Sequence, residues 1–379
     1  MIAATAGMII HRKLASQIAD VCLNIKAGEN VWIHTWDHTV ALASQVALEC
    51  RQKGAHPLIT LSTESYWLQS ITETPKTLLA TLPEHYAATL KKTDAFIFMI
   101  GPRHPINWRK IPEKNRDFAN VWFLESNPYM DAWRKIAREY RVRMLGVEYC
   151  IVTPERARSL GIDYGLWQKI MLAGCLADQR QISERAERLA RCLQEKSEVD
   201  VQTVFGTKLS FRLARRAPNM GDSIVTEEDA ANGMVKFLPS GFVEVAPDEN
   251  SAEGVAVYDV PIPVHGDRKI KGLKLHFQRG EVVDYRAKSN VKVFEDYLKS
   301  GEGDVAKFGF FGLGLNPGLK HGLAQDDKVL GVVTVGVGGN ADKGGKNRTD
   351  GNRHWWASMT KATVKVDDRV VLVGRELMA

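Results

Sequence analysis

Hydrophobic and polar positions follow a helical spacing over much of the first half of the chain, and short buried runs interrupt it. Residues 14–25 place their apolar side chains on one helical face, 31–35 form an apolar run, and 39–53 return to helical spacing. The same reading predicts helices at 83–92, 129–140 and 163–195 and strands at 56–61, 95–100, 119–124 and 143–147. Strands that alternate with helices through short connections indicate a parallel sheet covered by helices.

The pattern changes after about residue 198, because short apolar runs bounded by Gly, Asp and Pro replace most helices. These runs lie at 201–204, 208–213, 255–260, 273–277 and 282–285, before one helix near 293–299 and a hairpin of 363–366 with 370–373. The chain is therefore predicted to have two domains. The first, 1–198, is an α/β Rossmann-like domain, and the second, 199–379, is a β-rich α+β domain that carries the candidate active site.

Composition and charge then exclude several classes of protein. The 379 residues are 44% hydrophobic and 25% charged, which is ordinary for a globular chain. The net charge of +6 comes from Lys and Arg interleaved with acidic residues, so no broad basic face for nucleic acid is expected. No segment approaches the ~20 apolar residues that span a bilayer. Five cysteines without a C-x-x-C pair indicate reduced thiols. We expect a cytoplasmic protein with a small-molecule substrate and no membrane or nucleic-acid partner.

Glycine-rich stretches in the last third of the chain carry a recognisable pattern. They read LPSGFVEVAP at 238–247, FFGLGLNPG at 310–318 and GVVTVGVG at 331–338, the last leading to HWW at 354–356. With GTKLSF at 206–211 and LHFQRGEVV at 275–283, they resemble the thermophilic metalloaminopeptidase (leucyl-aminopeptidase-like) family, whose scaffold 2,5-dihydroxypyridine 5,6-dioxygenase shares. The resemblance implies a metalloaminopeptidase-like fold and a homodimer.

The resemblance also implies where a two-metal site would lie, and the residues at those positions are not metal ligands. The family's two glutamates correspond to Phe242 and Phe310, and one of its histidines corresponds to Thr334. Of the family's final His-x-Asp, His354 is kept, but Trp356 replaces the aspartate. Aromatic rings offer no lone pair to a divalent cation, and one histidine cannot hold two ions. We therefore expect no dinuclear metal site and no cofactor.

These replacements turn a polar metal pocket into an aromatic one, in which His354 is the obvious titratable group. The preferred hypothesis is a divergent enzyme that acts on a small, partly aromatic or apolar organic molecule. Its step would be a hydrolytic or a bond- or ring-cleaving one in a catabolic route, with His354 as the acid–base residue. The predicted substrate-binding residues are Phe242, Glu244, Phe310, Asn316, Thr334, Lys346, Asn347 and Trp356.

Three alternatives stay open. One is a metal-dependent leucyl-type aminopeptidase, and another is a non-catalytic binding protein in which the aromatic residues fill the old site. The third is a mononuclear non-haem iron dioxygenase that cleaves rings. If a single divalent ion (Fe, Zn or Co) is bound at all, its expected ligands are His354, His265 and Glu244, the last of which lies two residues from Phe242 on the same strand face.

Overall fold

The computed structural model describes residues 2–119, 127–195, 197–264 and 268–378. In chain order the strands are β1 (Asn30–Trp36), β2 (His56–Ser62), β3 (Ala95–Met99), β4 (Arg143–Val147), β5 (Glu198–Thr203), β6 (Lys208–Arg212), β7 (Asn219–Gly221), β8 (Val235–Leu238), β9 (Phe242–Val245), β10 (Glu253–Tyr258), β11 (Ile262–Pro263), β12 (Lys269–Ile270), β13 (Leu273–Gln278), β14 (Glu281–Arg286), β15 (Phe308–Gly314), β16 (Val333–Gly338), β17 (His354–Met359), β18 (Ala362–Val366), β19 (Arg369–Val373) and β20 (Glu376–Leu377).

The α-helices are α1 (Ile2–Ser16), α2 (Val40–Gln52), α3 (Glu64–Glu73), α4 (Lys76–Leu79), α5 (Glu84–Leu90), α6 (Pro128–Glu139), α7 (Pro154–Leu160), α8 (Tyr164–Cys175), α9 (Gln179–Gln194), α10 (Glu227–Asn232) and α11 (Lys292–Ser300). None of the helices in the described ranges is long and apolar enough to cross a membrane.

The chain divides into two compact units, and the division differs from the single boundary predicted near residue 198. The first unit is Met1–Arg158, Asp163–Arg180 and Ser223–Pro239, and the second is Ser159–Ile162, Gln181–Asp222 and Ser240–Ala379. Part of the reason is β8, which follows the predicted boundary in sequence but pairs with β4 of the first unit.

The first unit is built on a parallel sheet of five strands in the order β2-β1-β3-β4-β8. Every residue of the inner strands β3 and β4 is buried, whereas the edge strand β2 is largely exposed. Strands buried on both faces read as continuous apolar runs, which is why the sequence pattern located them. The predicted parallel sheet is therefore confirmed.

Three local predictions differ from the structure or lie outside it. The first helix begins near the start of the chain as α1 and continues as a π-helical turn over Gln17–Cys22. The long helix predicted at 163–195 is two helices, α8 and α9. The side-chain amide of Gln179 donates to the carbonyl of Gly174 at 3.1 Å where they meet. Of the strand predicted at 119–124, only Ala119 is among the described residues.

The second unit contains two larger antiparallel sheets that share an aromatic core. One has eight strands in the order β14-β13-β10-β6-β5-β18-β19-β20, and the other has five in the order β17-β16-β15-β9-β7. Phe211 of β6 packs against Phe308 and Phe311 of β15, with ring centroids 4.9 and 5.1 Å apart. Phe310 lies between Phe308 and Phe311 in sequence, next to an irregularity in β15. Its ring covers Gly336 of β16. Phe308 and Phe311, and not Phe310, thus join the five-stranded sheet to the aromatic core.

Candidate functional site

Phe242 and Phe310 cover glycines on the strands beside their own. Phe242 of β9 pairs with Gly221 of β7, and Phe310 of β15 pairs with Gly336 of β16. A Cβ atom added at Gly221 would lie 2.0 Å from the Phe242 ring, and one added at Gly336 would lie 2.2 Å from the Phe310 ring. Both rings therefore need a glycine opposite them, and they fill positions where the resembling family has carboxylates.

The strand register places the other predicted positions on neighbouring strands of the same sheet. Thr334 and Gly336 of β16 pair with Ser358 and Trp356 of β17, and His354 begins β17. Side chains two residues apart on a strand share a face. Thr334 and Ser358 are in contact, with their hydroxyl oxygens 3.2 Å apart. The sheet thus carries these residues close to the ring of Phe310.

A lysine that the sequence reasoning missed lies beside Phe310. Lys343 ends a short 3-10 turn after β16, and its Nζ is 4.8 Å from the centroid of the Phe310 ring. The same nitrogen is 2.6 Å from Oδ2 of Asp342 and 3.7 Å from Oε1 of Glu244. The side chain of Lys343 is only 7% exposed, so its positive charge is held in a poorly solvated place.

Lys346, the lysine chosen from the sequence, is exposed, and its backbone N–H donates to Oε1 of Glu249 at 2.6 Å. In the sequence, Lys343 differs from Lys346 only in its position. Lys343 comes before the Gly344-Gly345 turn and is therefore nearer than Lys346 to the end of the preceding strand. This difference in position does not show which way either side chain turns.

Two carboxylates flank the Lys343 ammonium. Burial raises the pKa of Glu244, and it is opposed by Lys343 and by the hydrogen bond that Asn219 Nδ2 donates to Oε1 at 2.8 Å. Burial also acts to raise the pKa of Asp342. Its contacts with Lys343 and Asn352 outweigh burial, so the pKa of this carboxyl is lowered. The cluster is thus one ammonium shared by a buried carboxylate and a half-exposed one.

His354 connects this charged cluster to solvent. Its ring meets the Phe310 ring edge-on, with centroids 5.7 Å apart and planes at 87°. Nδ1 lies 3.1 Å from the carbonyl oxygen of Asn352, so Nδ1 carries the proton and Nε2 offers a lone pair. Burial, and next the charge of Lys343, lower the pKa of His354. The Asn352 carbonyl and Asp342 act to raise this pKa but do not outweigh them. The imidazole is therefore neutral at pH 7, although one side of it is exposed.

A cavity of about 290 Å³ adjoins His354. Its lining includes Trp356, Ser358 and Asp326 together with the segment Val260–Pro263. Burial raises the pKa of Asp326 to about 6, against the hydrogen bond from the Gly322 N–H. Neither Phe242 nor Phe310 lines this cavity, because their rings lie over the neighbouring strands. The predicted pocket walled by both of them and Trp356 is therefore not the one beside His354.

Asn316 and Asn347, predicted to contact a ligand, are buried and bonded to the main chain. Nδ2 of Asn316 donates to the carbonyl of Ser240 at 2.7 Å. Nδ2 of Asn347 donates to the carbonyls of Phe308 and Gly338 at 3.0 and 2.9 Å. These bonds tie both asparagines to the main chain of neighbouring segments, and their contact with a ligand stays a prediction.

The donor set does not fit the two-metal site of the resembling family. Phe242, Phe310 and Trp356 offer no lone pair, and the ammonium of Lys343 would repel a cation near Glu244. No group of three His, Cys, Asp or Glu side chains in the described part of the chain could hold a metal ion. His265, which the one-metal alternative needs with His354 and Glu244, lies outside the described residues, so that alternative remains a prediction.

Comparisons with known proteins agree with this architecture. AmpT from Thermus thermophilus is similar with a TM-score of 0.66 and 14% identity, over 98% of this chain and 99% of AmpT. 2,5-Dihydroxypyridine dioxygenase from Pseudomonas putida KT2440 is similar with a TM-score of 0.62 and 14% identity, over 98% and 97% of the two chains. Identity this low shows a shared fold alone. A comparison with curated protein sequences gives no significant match. The sequence profile described as thermophilic metalloprotease (M29) matches residues 10–316, and the chain belongs to that family.

Proposed function

We propose that the chain is a divergent enzyme of this family that acts on a small, partly aromatic organic molecule by acid–base chemistry at His354, without a dinuclear metal. The observation that carries the proposal is the position of Lys343. Its Nζ lies 3.7 Å from Glu244 and 4.8 Å from the Phe310 ring, so a resident cation already neutralises this carboxylate. A fixed ammonium supplies positive charge without binding an ion.

His354 supplies the proton-transfer group. Its Nε2 lone pair is available because Nδ1 donates to the Asn352 carbonyl, and its lowered pKa keeps it unprotonated at neutral pH. Lys343 acts on the reaction through His354, since its charge is one cause of that lowered pKa. Asp342 opposes Lys343 and would stabilise the imidazolium formed when His354 takes a proton. The arrangement suits removal of a proton from a substrate or from an attacking water.

The cavity beside His354 favours a compact substrate with a flat apolar part. Its volume of about 290 Å³ is at the lower end of the range for small-molecule sites, ~300 Å³ and above. Trp355, Trp356 and Ile262 form apolar walls, whereas Ser358 and Asp326 offer polar contacts. We infer a ring compound with one or two polar substituents, cleaved by hydrolysis or by bond or ring opening. A cytoplasmic location fits the five cysteines, all of which are free thiols.

Metal analysis followed by a substrate screen tests the proposal. Protein purified without chelators should contain well under one equivalent of Zn, Co, Mn or Fe by mass spectrometry. Added Co²⁺, Zn²⁺ or Mn²⁺ should produce no cleavage of leucine amides. A screen of small ring compounds, followed by ultraviolet absorbance, should find turnover that His354→Gln lowers by roughly a hundredfold. The matched control is His276→Gln, which changes an exposed histidine of β13.

Each contrary result supports a different alternative. Two equivalents of metal with amide cleavage would favour the leucyl-type aminopeptidase. One equivalent of iron with oxygen consumption would favour the ring-cleaving dioxygenase. Ligand binding without turnover, unaffected by His354→Gln, would favour the binding protein.

A further inference from the structure

The first unit has a cavity of its own, with a volume of about 230 Å³. His34 and Trp36 from the end of β1, Ser62 from the end of β2 and Met99 from the end of β3 line it. All of these residues lie at the carboxyl ends of parallel strands. Open parallel sheets bind ligands at this edge.

Aromatic side chains form a large part of the wall. Trp36 and Trp67 meet edge-on, with ring centroids 5.8 Å apart and planes at 76°. The indole N–H of Trp36 donates to the carbonyl of Met99 at 2.9 Å, which fixes the orientation of that ring. Tyr86 and Tyr129 add two further rings to the lining. Such walls present flat faces and edges to a planar ring.

His34 presents a hydrogen-bond donor to this cavity. The Thr60 hydroxyl accepts from the Trp32 indole N–H at 2.8 Å and lies 3.2 Å from Nδ1 of His34. While it accepts from Trp32, the hydroxyl can donate its own proton to Nδ1, and in that tautomer Nε2 carries the hydrogen. Burial lowers the pKa of His34 to about 4, so the ring stays neutral at pH 7. In the part of the chain that the structure describes, Nε2 has no hydrogen-bond partner.

The remaining polar groups of the lining are mostly uncharged. The hydroxyls of Ser62, Ser70, Tyr86 and Tyr129 have no protein partner among the described residues, and burial raises the pKa of Tyr129, so it keeps its proton. No lysine or arginine is among the described lining residues, and Asp117, an exposed residue, is the one carboxylate there. This lining disfavours anions and offers several hydroxyls to a neutral ligand.

We propose that this cavity binds a small neutral aromatic molecule with an oxygen substituent, of which phenol is the simplest, and that His34 Nε2–H donates to that oxygen. The size agrees, because a cavity of ~150 Å³ in another protein admits benzene, and this one is larger. The proposal concerns the first unit alone. It therefore stands or falls independently of the chemistry at His354.

Binding of phenol and of toluene to the full-length protein, measured by calorimetry and ligand-observed NMR, tests the proposal. Toluene has nearly the same shape but no oxygen. We expect phenol to bind saturably with a Kd on the order of 0.1–1 mM, and toluene at least about tenfold more weakly. His34→Phe should reduce phenol affinity to that of toluene and leave toluene binding unchanged. A structural role of His34 would weaken both ligands equally.

Variants that fill the cavity locate the ligand. Ser70→Phe on α3 and Ser62→Leu on β2 should each lower phenol affinity at least about tenfold by occupying the space. Gln69→Phe is the matched control, because residue 69 is an exposed neighbour on the same helix and does not line the cavity. Circular dichroism checks that each variant folds. Because the two filling substitutions lie on different elements, one still tests the proposal if the other variant does not fold. Absence of saturable phenol binding, or unchanged affinity in a folded filling variant, would overturn the proposal.

Discussion

Nζ of Lys343 lies 3.7 Å from Oε1 of Glu244, and their side chains are 7% and 17% exposed. An ion pair this buried contributes little net stability, but the loss of one partner leaves an uncompensated charge behind. Asn219 also donates a hydrogen bond to this carboxylate. The ionisation state of Glu244 therefore depends on the charge of Lys343.

Lys343→Met should destabilise the protein more at pH 8 than at pH 5. Burial already raises the pKa of Glu244, and removal of the ammonium raises it further. A raised carboxyl pKa makes folding favour the protonated form, so stability is lost as the pH rises through that pKa. We expect a loss of about 3 kcal/mol at pH 8 and clearly less at pH 5, measured by urea unfolding.

Two variants control this result. Lys346→Met changes an exposed lysine and should cost under about 0.5 kcal/mol at either pH. The double variant Lys343→Met/Glu244→Gln removes both charges and should recover most of the loss at pH 8. An equal loss at both pH values, or no recovery in the double variant, would show that Lys343 acts through packing on Phe310 instead of charge.

The pKa of His354 should move in opposite directions when its two charged neighbours are changed. Lys343 lowers this pKa and Asp342 raises it, while burial is the largest cause of its overall lowering. Lys343→Met should therefore raise the pKa, and Asp342→Asn should lower it. Proton NMR titration of the imidazole signal, assigned by its loss in His354→Gln, measures both. Shifts of the same sign would contradict the described cluster.

Local pattern predicted the first sheet well, because strand and helix periodicity are properties of short segments. The strand predicted at 143–147 has the same bounds as β4. β8 was missed as a member of this sheet, since its pairing with β4 joins residues about ninety apart in the chain. No short-range pattern encodes a pairing of that kind.

Strand alternation and the family resemblance predicted which positions belong to the site, but they did not predict the contacts between their side chains. The contact between Phe310 and His354 depends on the register of β15, β16 and β17 and on an irregularity after Phe308, which alternation alone does not show. Lys343 and Lys346 are equally polar in sequence, and the conformation of one loop buries the first and exposes the second. Side-chain direction in a glycine-rich loop was the missing information.

A homodimer remains a prediction from the family resemblance. Light scattering during size-exclusion chromatography should give about twice the chain mass of 42.3 kDa at micromolar concentration. Dilution through the nanomolar range would then show whether the dimer is obligate, because an obligate interface buries a larger and more apolar surface. A mass near that of one chain at every concentration would contradict the prediction.

Asp326→Asn should stabilise the protein at pH 8 and have little effect at pH 4. Asp326 is 7% exposed, and burial raises its pKa from 3.8 to about 6 although the Gly322 N–H donates to its Oδ1. Its folded-state pKa lies above the unfolded value, so its contribution to stability is present below about pH 4 and lost as the pH rises through 6. A shift of this size corresponds to about 2–3 kcal/mol.

Asparagine keeps an oxygen that can accept from Gly322 and never ionises, so unfolding curves of the two proteins should separate as the pH rises. The exposed Asp368→Asn variant should show no such separation. If Asp326→Asn were instead less stable than the parent at pH 8, the ionised carboxylate would have to stabilise the fold, which would contradict the cost of burial that raises its pKa.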